Sequence, residues 1–422
     1  MSALCAAQEN RASTAPASAT EKRDGANPFN ALRNFFGRVL PAQVPAPVAA
    51  SAPAATPEPA PTAAPAAESA AEPASAAVPA ADPLPVAAPS GVLAPASSPA
   101  AARSGIALLL PTRAPAFARA ADATRAGFVA ARNASKSGIA FTLVETDGSP
   151  ERARAAYREA AAKALVVVGP LTRSEVGALI GELIPVPTLV LNLPDLAAGT
   201  NAVPLPPQMR ALALNIEHEA QSAAHAAYAP DAQVAVVVVA TDSVLQKRAA
   251  AAFTDAWIRL GGQIGNPIEF SGALGRVRQG IERARADVVF LASDAATARL
   301  VRPYLGRGTV VIATSQVYSG PPKSEAQKFH DLNGIRFIDM PWLHHPDRAA
   351  LGFALPETPL SPDLERLYAL GIDAYRVASE LVRGNAQFEL DGVTGKLRGQ
   401  AGSLEREPIQ AEFRDGDVSL VR

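Results

Sequence analysis

Residues 104–422 read as an α/β protein of two similar lobes, each an open parallel sheet wrapped in helices, preceded by a disordered Ala/Pro-rich tether. Three features lead there. Short apolar runs alternate with helical stretches from Gly105 onward, and strands alternating with helices imply parallel pairing through right-handed crossovers. The runs are apolar on consecutive residues, as in Val236–Val239, which strands covered on both faces must be. The cycle closes near Asn192 and starts again at Gln233.

Residues 1–40 form an N-terminal arm expected to be mostly disordered, with "NPFNALRNFFGRVL" (Asn27–Leu40) as a short transient helix. Residues 41–100 hold 15 of the 38 prolines and 24 alanines, and no Lys or Arg lies between Arg38 and Arg103. Such a stretch cannot bury enough large apolar surface to offset chain entropy, and proline blocks regular ladders. Residues 41–103 therefore read as a disordered, PPII-rich linker, able to reach on the order of 150–190 Å at roughly 3.1 Å per residue.

Lobe one is expected over about 104–208. "IALLLP" (Ile106–Pro111) is a strand before a helix from Phe117 to Asn133. "IAFTLVETDG" is a second strand, and the helix after it starts with Ser149 as N-cap and Pro150 as first helical residue. "ALVVVGP" precedes a helix around Ser174–Leu183, and "PTLVLN" closes the set. A helix from Met209 to Tyr228 carries the chain across.

Lobe two is expected over about 229–340. Its strands are "QVAVVVVATD", "QIGNPIEF", "ADVVFLASD" and "GTVVIATS", with helices through Trp257, Leu274–Ala284 and Thr297–Tyr304 between them. Segments after about 340 should return to lobe one. Among these, Arg366–Leu381 is an amphipathic helix with apolar or small residues at Leu364, Leu367, Tyr368, Gly371, Ile372, Tyr375 and Ala378. Gly371 lets another backbone approach closely, Tyr375 packs, and Asp373 is a structural hydrogen-bond acceptor. "LDGVTGKLRG" and "IQAEFRDGDVSLV" read as hairpin pieces, with Asp415-Gly416 a turn.

The formal net charge is −1, so no basic field favours nucleic acid, and none is expected as a partner. The single cysteine, Cys5, excludes an intramolecular disulfide and a Cys-based zinc site. It is a candidate lipidation site on the reading that a lipoprotein leader lies upstream of this start, although Leu4 stands where such sites take a small residue. The competing reading is an incidental cysteine in a floppy tail. No apolar run of about 18 residues spans a bilayer.

No catalytic residues, cofactor or metal are expected. His218 and His225 lack a third ligand at useful spacing, and His344 and His345, before a proline, read as a solvated loop. No G-x-S-x-G occurs, "SGPPKS" lacks phosphate-loop spacing, and "VVVGPLTRSEVG" lacks a dinucleotide fingerprint. In open α/β lobes ligands sit beyond the carboxyl ends of strands. Those ends carry Thr112, Arg113, Thr172, Asn192, Thr241, Asp242, Ser293, Asp294, Thr314 and Ser315, which would suit a small polar solute or would merely cap helices.

The architecture is that of two Rossmann-like lobes of the type I periplasmic-binding-protein fold. Within it, "IALLLPT", "LVVVGPLTRSEV", "PVPTLVLNLPD", "IDMPWL", "LYALGIDAYRVA" and "GVTGKL" resemble the LppC/LpoA family of penicillin-binding-protein activators over roughly 104–422. That resemblance implies a non-enzymatic regulator at the periplasmic face of the outer membrane, held by a lipid anchor, that binds and activates a class A penicillin-binding protein. Two departures stand against it: family members often carry an N-terminal helical-repeat domain where this chain has its tether, and no lipoprotein leader is seen. The alternative is a solute-binding receptor, transporter-linked or sensory, for an amino acid or peptide-like ligand in the interlobe cleft.

Overall fold

A computed structural model describes residues 103–195, 204–306 and 308–421. The arm and nearly all of the linker, with Cys5, lie outside the described residues.

Lobe one comprises β1 (Ile106–Leu110), α1 (Ala118–Ala134), β2 (Phe141–Glu145), α2 (Pro150–Lys163), β3 (Val166–Val168), α3 (Arg173–Leu179), β4 (Thr188–Val190) and β5 (Met209–Ala211). The strands run parallel in the order β2-β1-β3-β4-β5. Successive side chains of a strand point to opposite faces. Ile106, Leu108 and Leu110 accordingly enter the core under α1, and Ala107 and Leu109 the core under α2 and α3. Ser149 caps α2 by accepting from the Arg152 N–H at 3.3 Å, and Pro150 opens the helix.

The crossing segment is not the single helix expected. Its first residues form β5, fully paired with β4, and only then does α4 (Ile216–Ala227) begin. Lobe two continues with β6 (Val234–Ala240), α5 (Val244–Arg259), β7 (Gln263–Ile264), β8 (Ile268–Phe270), α6 (Leu274–Ala284), β9 (Val288–Ala292), α7 (Ala295–Val301), β10 (Val310–Ala313) and β11 (Ile335–Asp339). Val236 and Val238 face α6 and α7, while Val237 and Val239 face α4 and α5. Double coverage explains the unbroken valine run.

Three strands follow α8 (Pro341–His344) and α9 (Pro362–Val382): β12 (Phe388–Asp391), β13 (Lys396–Gln400) and β14 (Ser403–Glu407), an antiparallel meander. The last hairpin, β15 (Ile409–Arg414) and β16 (Asp417–Leu420), corrects one expectation. It does not return to lobe one. β15 pairs antiparallel with β11, Phe337 opposite Ala411, and extends the lobe-two sheet, because Ala411 and Phe413 complete the apolar face begun by Ile335 and Phe337. Asp415 and Gly416 make its turn, both left-handed at φ 53° and 83°.

Helix α9 seals the core of lobe one, but not as a one-faced helix. Burial runs almost all round it from Leu364 to Ser379, since β12–β14 and the segment after β11 cover the side that sheet one leaves open. Against α1 the two backbones touch. A Cβ on Gly371 would lie 2.0 Å from the Thr124 carbonyl oxygen, and one on Gly127 would lie 1.8 Å from that of Tyr368. Each glycine thus makes room for the other helix's main chain, and Phe128 sets its ring edge-on to Tyr375 beside the crossing, 5.1 Å between centroids. Neither backbone is a flexible tip that can yield. Gly127→Ala and Gly371→Leu should each lower stability by at least the about 1–3 kcal/mol typical of overpacking, read as a shift in urea midpoint at unchanged m-value.

Candidate functional site

The strand ends of lobe one are occupied by one another. Thr112 Oγ1 donates to Glu145 Oε1 at 2.8 Å, and Arg113 donates to Glu145 Oε2 from Nε (3.2 Å) and Nη2 (3.1 Å). The Thr112 hydroxyl and then the Arg113 guanidinium hold the Glu145 carboxyl below its usual range. Thr172 caps α3 and donates back to Glu175 Oε2 at 2.8 Å, while Thr146 reaches Glu175 Oε1. Burial raises the pKa of Glu175. Asn192 spans two turns, donating to the Leu171 carbonyl at 3.1 Å and accepting from the Leu193 N–H at 3.0 Å.

Lobe two repeats the pattern. Asp294 caps α7 by accepting from the Thr297 N–H at 2.9 Å, and Ser293 donates to the Asp294 carbonyl. The cap of α5 is Ser243, next to exposed Asp242 and half-buried Thr241. Thr314 is buried with its hydroxyl unmatched by any protein group. Of the ten strand-end residues, Ser315 is the one bonded to both Arg366 of α9 and Glu219 of α4.

The cluster they form lies at the hinge. Arg366, on the first turns of α9, grips Asp339 at the end of β11 with two bonds, Nε to Oδ1 (3.0 Å) and Nη2 to Oδ2 (2.9 Å). Its Nη2 also donates to the Ser315 carbonyl (3.1 Å) and its Nη1 to Asp363 (3.0 Å). The Ser315 N–H donates to Glu219 Oε2 on α4 at 2.9 Å. His344 Nε2 stands 2.8 Å from Asp339 Oδ2, with its ring edge-on to Tyr318 and Phe337. The His344 side chain is therefore buried, which corrects the solvated loop expected there: α8 turns it inward, while His345 is half-buried. Burial works against a charged Asp339, but Arg366 and His344 outweigh it and hold the carboxyl down at about 2. Glu219 goes the other way, pushed up to about 7 by burial and then by the charge of Asp339.

Asp373 anchors a second junction. It is 0% exposed and accepts four bonds: from Val393 N (3.2 Å), Arg376 Nη1 (3.0 Å), Thr394 N (2.8 Å) and Thr394 Oγ1 (2.7 Å). Gly392 leaves the space through which the carboxylate enters, since a Cβ there would lie 2.7 Å from Asp373 Oδ2. The Trp342 N–H donates to the Val393 carbonyl at 3.0 Å and its indole to Glu365 at 3.2 Å. The segments "IDMPWL", "LYALGIDAYR" and "GVTGKL" thus meet in space and bond to one another.

The hollow left at the hinge, among Leu214, Ile216, Glu219, Leu245, Ser315 and Arg366, is about 20 Å³. That admits about one water, against the roughly 300–1,000 Å³ of a small-molecule site. Across the lobes, Arg173 of α3 lies 3.7 Å from Glu217 of α4, which accepts from Arg248 Nε of α5 at 2.6 Å. Sequence reasoning passes over Glu175, Glu219, Asp339 and Arg366 as site residues. For Glu219 a signal existed: it falls on the alanine stripe of α4, between Ile216 and Ala223.

Two parallel-sheet lobes with several crossings and a shared hinge define the class of type I periplasmic-binding-protein folds. A family model described as "LppC putative lipoprotein" matches residues 79–282 and 265–416. The chain belongs to this LppC family. A curated relative, penicillin-binding protein activator LpoA of Pantoea ananatis, is 25% identical over 304 residues, 60% of this chain and 44% of that protein. Coverage of the Yersinia pseudotuberculosis relative reaches 61%, so the chain spans about half the length of the curated relatives it matches. Among solved structures, the LpoA C-domain of Haemophilus influenzae, "a regulator of PBP1A", superposes with TM-score 0.60 at 21% identity over 75% of this chain and 99% of that one. A Chromobacterium violaceum structure described as "a putative branched-chain amino acid ABC transporter" superposes with TM-score 0.58 at 33% identity, over 73% and 99% respectively.

Asp373→Asn should cost about 1–3 kcal/mol, because an amide nitrogen would face backbone N–H donors that now meet a carboxylate oxygen; urea unfolding measures it. Glu219 gives a pH signature. Its folded pKa lies above the ordinary 4.5 of a solvated glutamate, so the stability it adds is full below that pH and is lost as pH rises toward about 7. Relative to Glu219→Gln, which keeps an acceptor for Ser315, the native chain should lose on the order of 3 kcal/mol between pH 4.5 and 7. Parallel stability curves for the two proteins across that window would refute the buried carboxyl.

Proposed function

We propose that this protein is a non-enzymatic cell-envelope regulator, working at the periplasmic face of the outer membrane, that binds and activates a class A penicillin-binding protein. The observation that carries the reading is the filled hinge. The strand-end groups of lobe one are bonded within the protein, and Arg366, Asp339, Glu219 and Ser315 bond across the hinge, where the hollow beside them is about 20 Å³. A fold with its ligand space occupied by its own side chains serves as a shaped surface for another protein. Membership of the LppC family and relatives named as penicillin-binding protein activators support the same reading. Among the described residues no helix is long and apolar enough to cross a membrane.

A second reading, a receptor for a small polar solute, has one observation in its favour: the 33% identity to the Chromobacterium violaceum structure. The two separate in one pair of measurements. The immobilised full chain should retain a detergent-solubilised class A penicillin-binding protein from the same cell and raise its cross-linking rate. Amino acids and short peptides should leave the radius of gyration in small-angle scattering unchanged. Failure to retain the synthase, together with a solute that closes the lobes, would establish the receptor instead.

A further inference from the structure

A second pocket is bordered by β5, the segment 213–222 that enters α4, and β14. At about 700 Å³ it is within the range of small-molecule sites. Three arginines line it, Arg210, Arg398 and Arg406, and the first and last are buried. Arg406 of β14 is 7% exposed and Arg210 of β5 is 6% exposed. Arg406 Nη1 donates to the Thr394 carbonyl at 2.9 Å, so the guanidinium is oriented by the same turn that Asp373 holds. Its Nε and Nη2 have no hydrogen-bond partner in the protein. Those two nitrogens form one edge of the guanidinium, the edge that makes paired bonds to a carboxylate or phosphate. Arg210 makes a long contact from Nη2 to the Gln400 carbonyl at 3.4 Å, and its Nε too is buried and unmatched.

Nearby acids do not meet this demand. Glu219, Asp339 and Asp373 act on Arg406 through their charge. Asp339 is engaged by Arg366 and His344, Asp373 by Arg376 and the 393–394 turn, and Glu219 by the Ser315 N–H. Glu405 and Glu407 flank Arg406 along β14 and also line the pocket, but strand alternation leaves them exposed where Arg406 is buried, and Glu407 pairs with Arg398 at 3.0 Å. Buried charge without a partner is costly. We propose that this pocket binds an oxyanion, the carboxylate or phosphate group of a small polar ligand, on the Arg406 edge with Arg210 beside it. The proposal does not rest on the regulator reading.

His218 of α4 also lines the pocket and reports on it. Burial, and then the charge of Arg406, hold its imidazole down at about 4. An anion seated on Arg406 cancels that repulsion and raises the value. The test is NMR of the full chain with labelled histidine, titrated with sodium phosphate or sodium acetate against sodium chloride at matched ionic strength. Saturable shifts of the His218 ring signals and an upward move of its titration midpoint are expected with phosphate, acetate or both, and the response identifies which oxyanion the pocket takes. Arg406→Gln should weaken the response tenfold or more. Arg210→Gln, which gives up only the long Gln400 contact, should weaken it severalfold in a chain that still folds. A response to phosphate and acetate no different from chloride, or one unchanged in folded Arg210→Gln and Arg406→Gln, overturns the proposal. A solute effect that survives both substitutions belongs to the hinge, which keeps this test separate from the receptor question.

Discussion

The grip of Arg366 on Asp339 is the interaction on which the two-lobed arrangement turns. One residue belongs to the helix that completes lobe one, the other to the end of a lobe-two strand, and both are buried. Taking both charges out of water costs several kcal/mol per ion, which the pair recovers only with good geometry and further bonds. Here the geometry is a two-pronged fork, and Ser315, Asp363 and His344 satisfy what the fork leaves. Removing either member would leave the other charged and buried, so the contact is all or nothing. It sets where α9 begins, and α9 sets where the β12–β14 meander can dock.

From there the structure follows a chain of dependences. The glycine crossing fixes α9 against α1, Asp373 on α9 fixes the turn at 392–395, and the turn fixes Arg406. Residues far apart in sequence therefore act as one rigid junction. Arg173, Glu217 and Arg248 add a second, looser bridge between lobes, with longer separations on the Arg173 side.

Much of the fold was legible because its signals are local. A run such as Val236–Val239 states that both faces are covered, and Ser149-Pro150 states where a helix starts. The misreadings came where distant segments decide. Helix α9 carries an apolar stripe, but the sequence cannot say that β12–β14 will cover its other side. The β15–β16 hairpin looks the same whichever sheet receives it. At the site, strand-end Thr, Ser and Asp were visible as polar groups, yet whether they greet a ligand or cap a helix depends on what stands opposite. Thr172 and Asp294 found backbone N–H groups. Arg406 was hidden for another reason: between Glu405 and Glu407 it reads as one more surface charge, and only the pleat shows that it points inward.

The pairing of β15 with β11 has a consequence for how the chain is made. Lobe two is encoded mostly by residues 216–339, but its sheet is finished by residues 409–420, after all of lobe one's late helix and meander have been synthesised. Until then the edge of β11 stands open, with Ile335 and Phe337 lacking the cover of Ala411 and Phe413. An open apolar edge recruits other strands, and contacts that close over long stretches of chain form late. On the ribosome, then, the second lobe waits for the first, and the hairpin of residues 409–420 acts as the clasp that ends its exposure to aggregation.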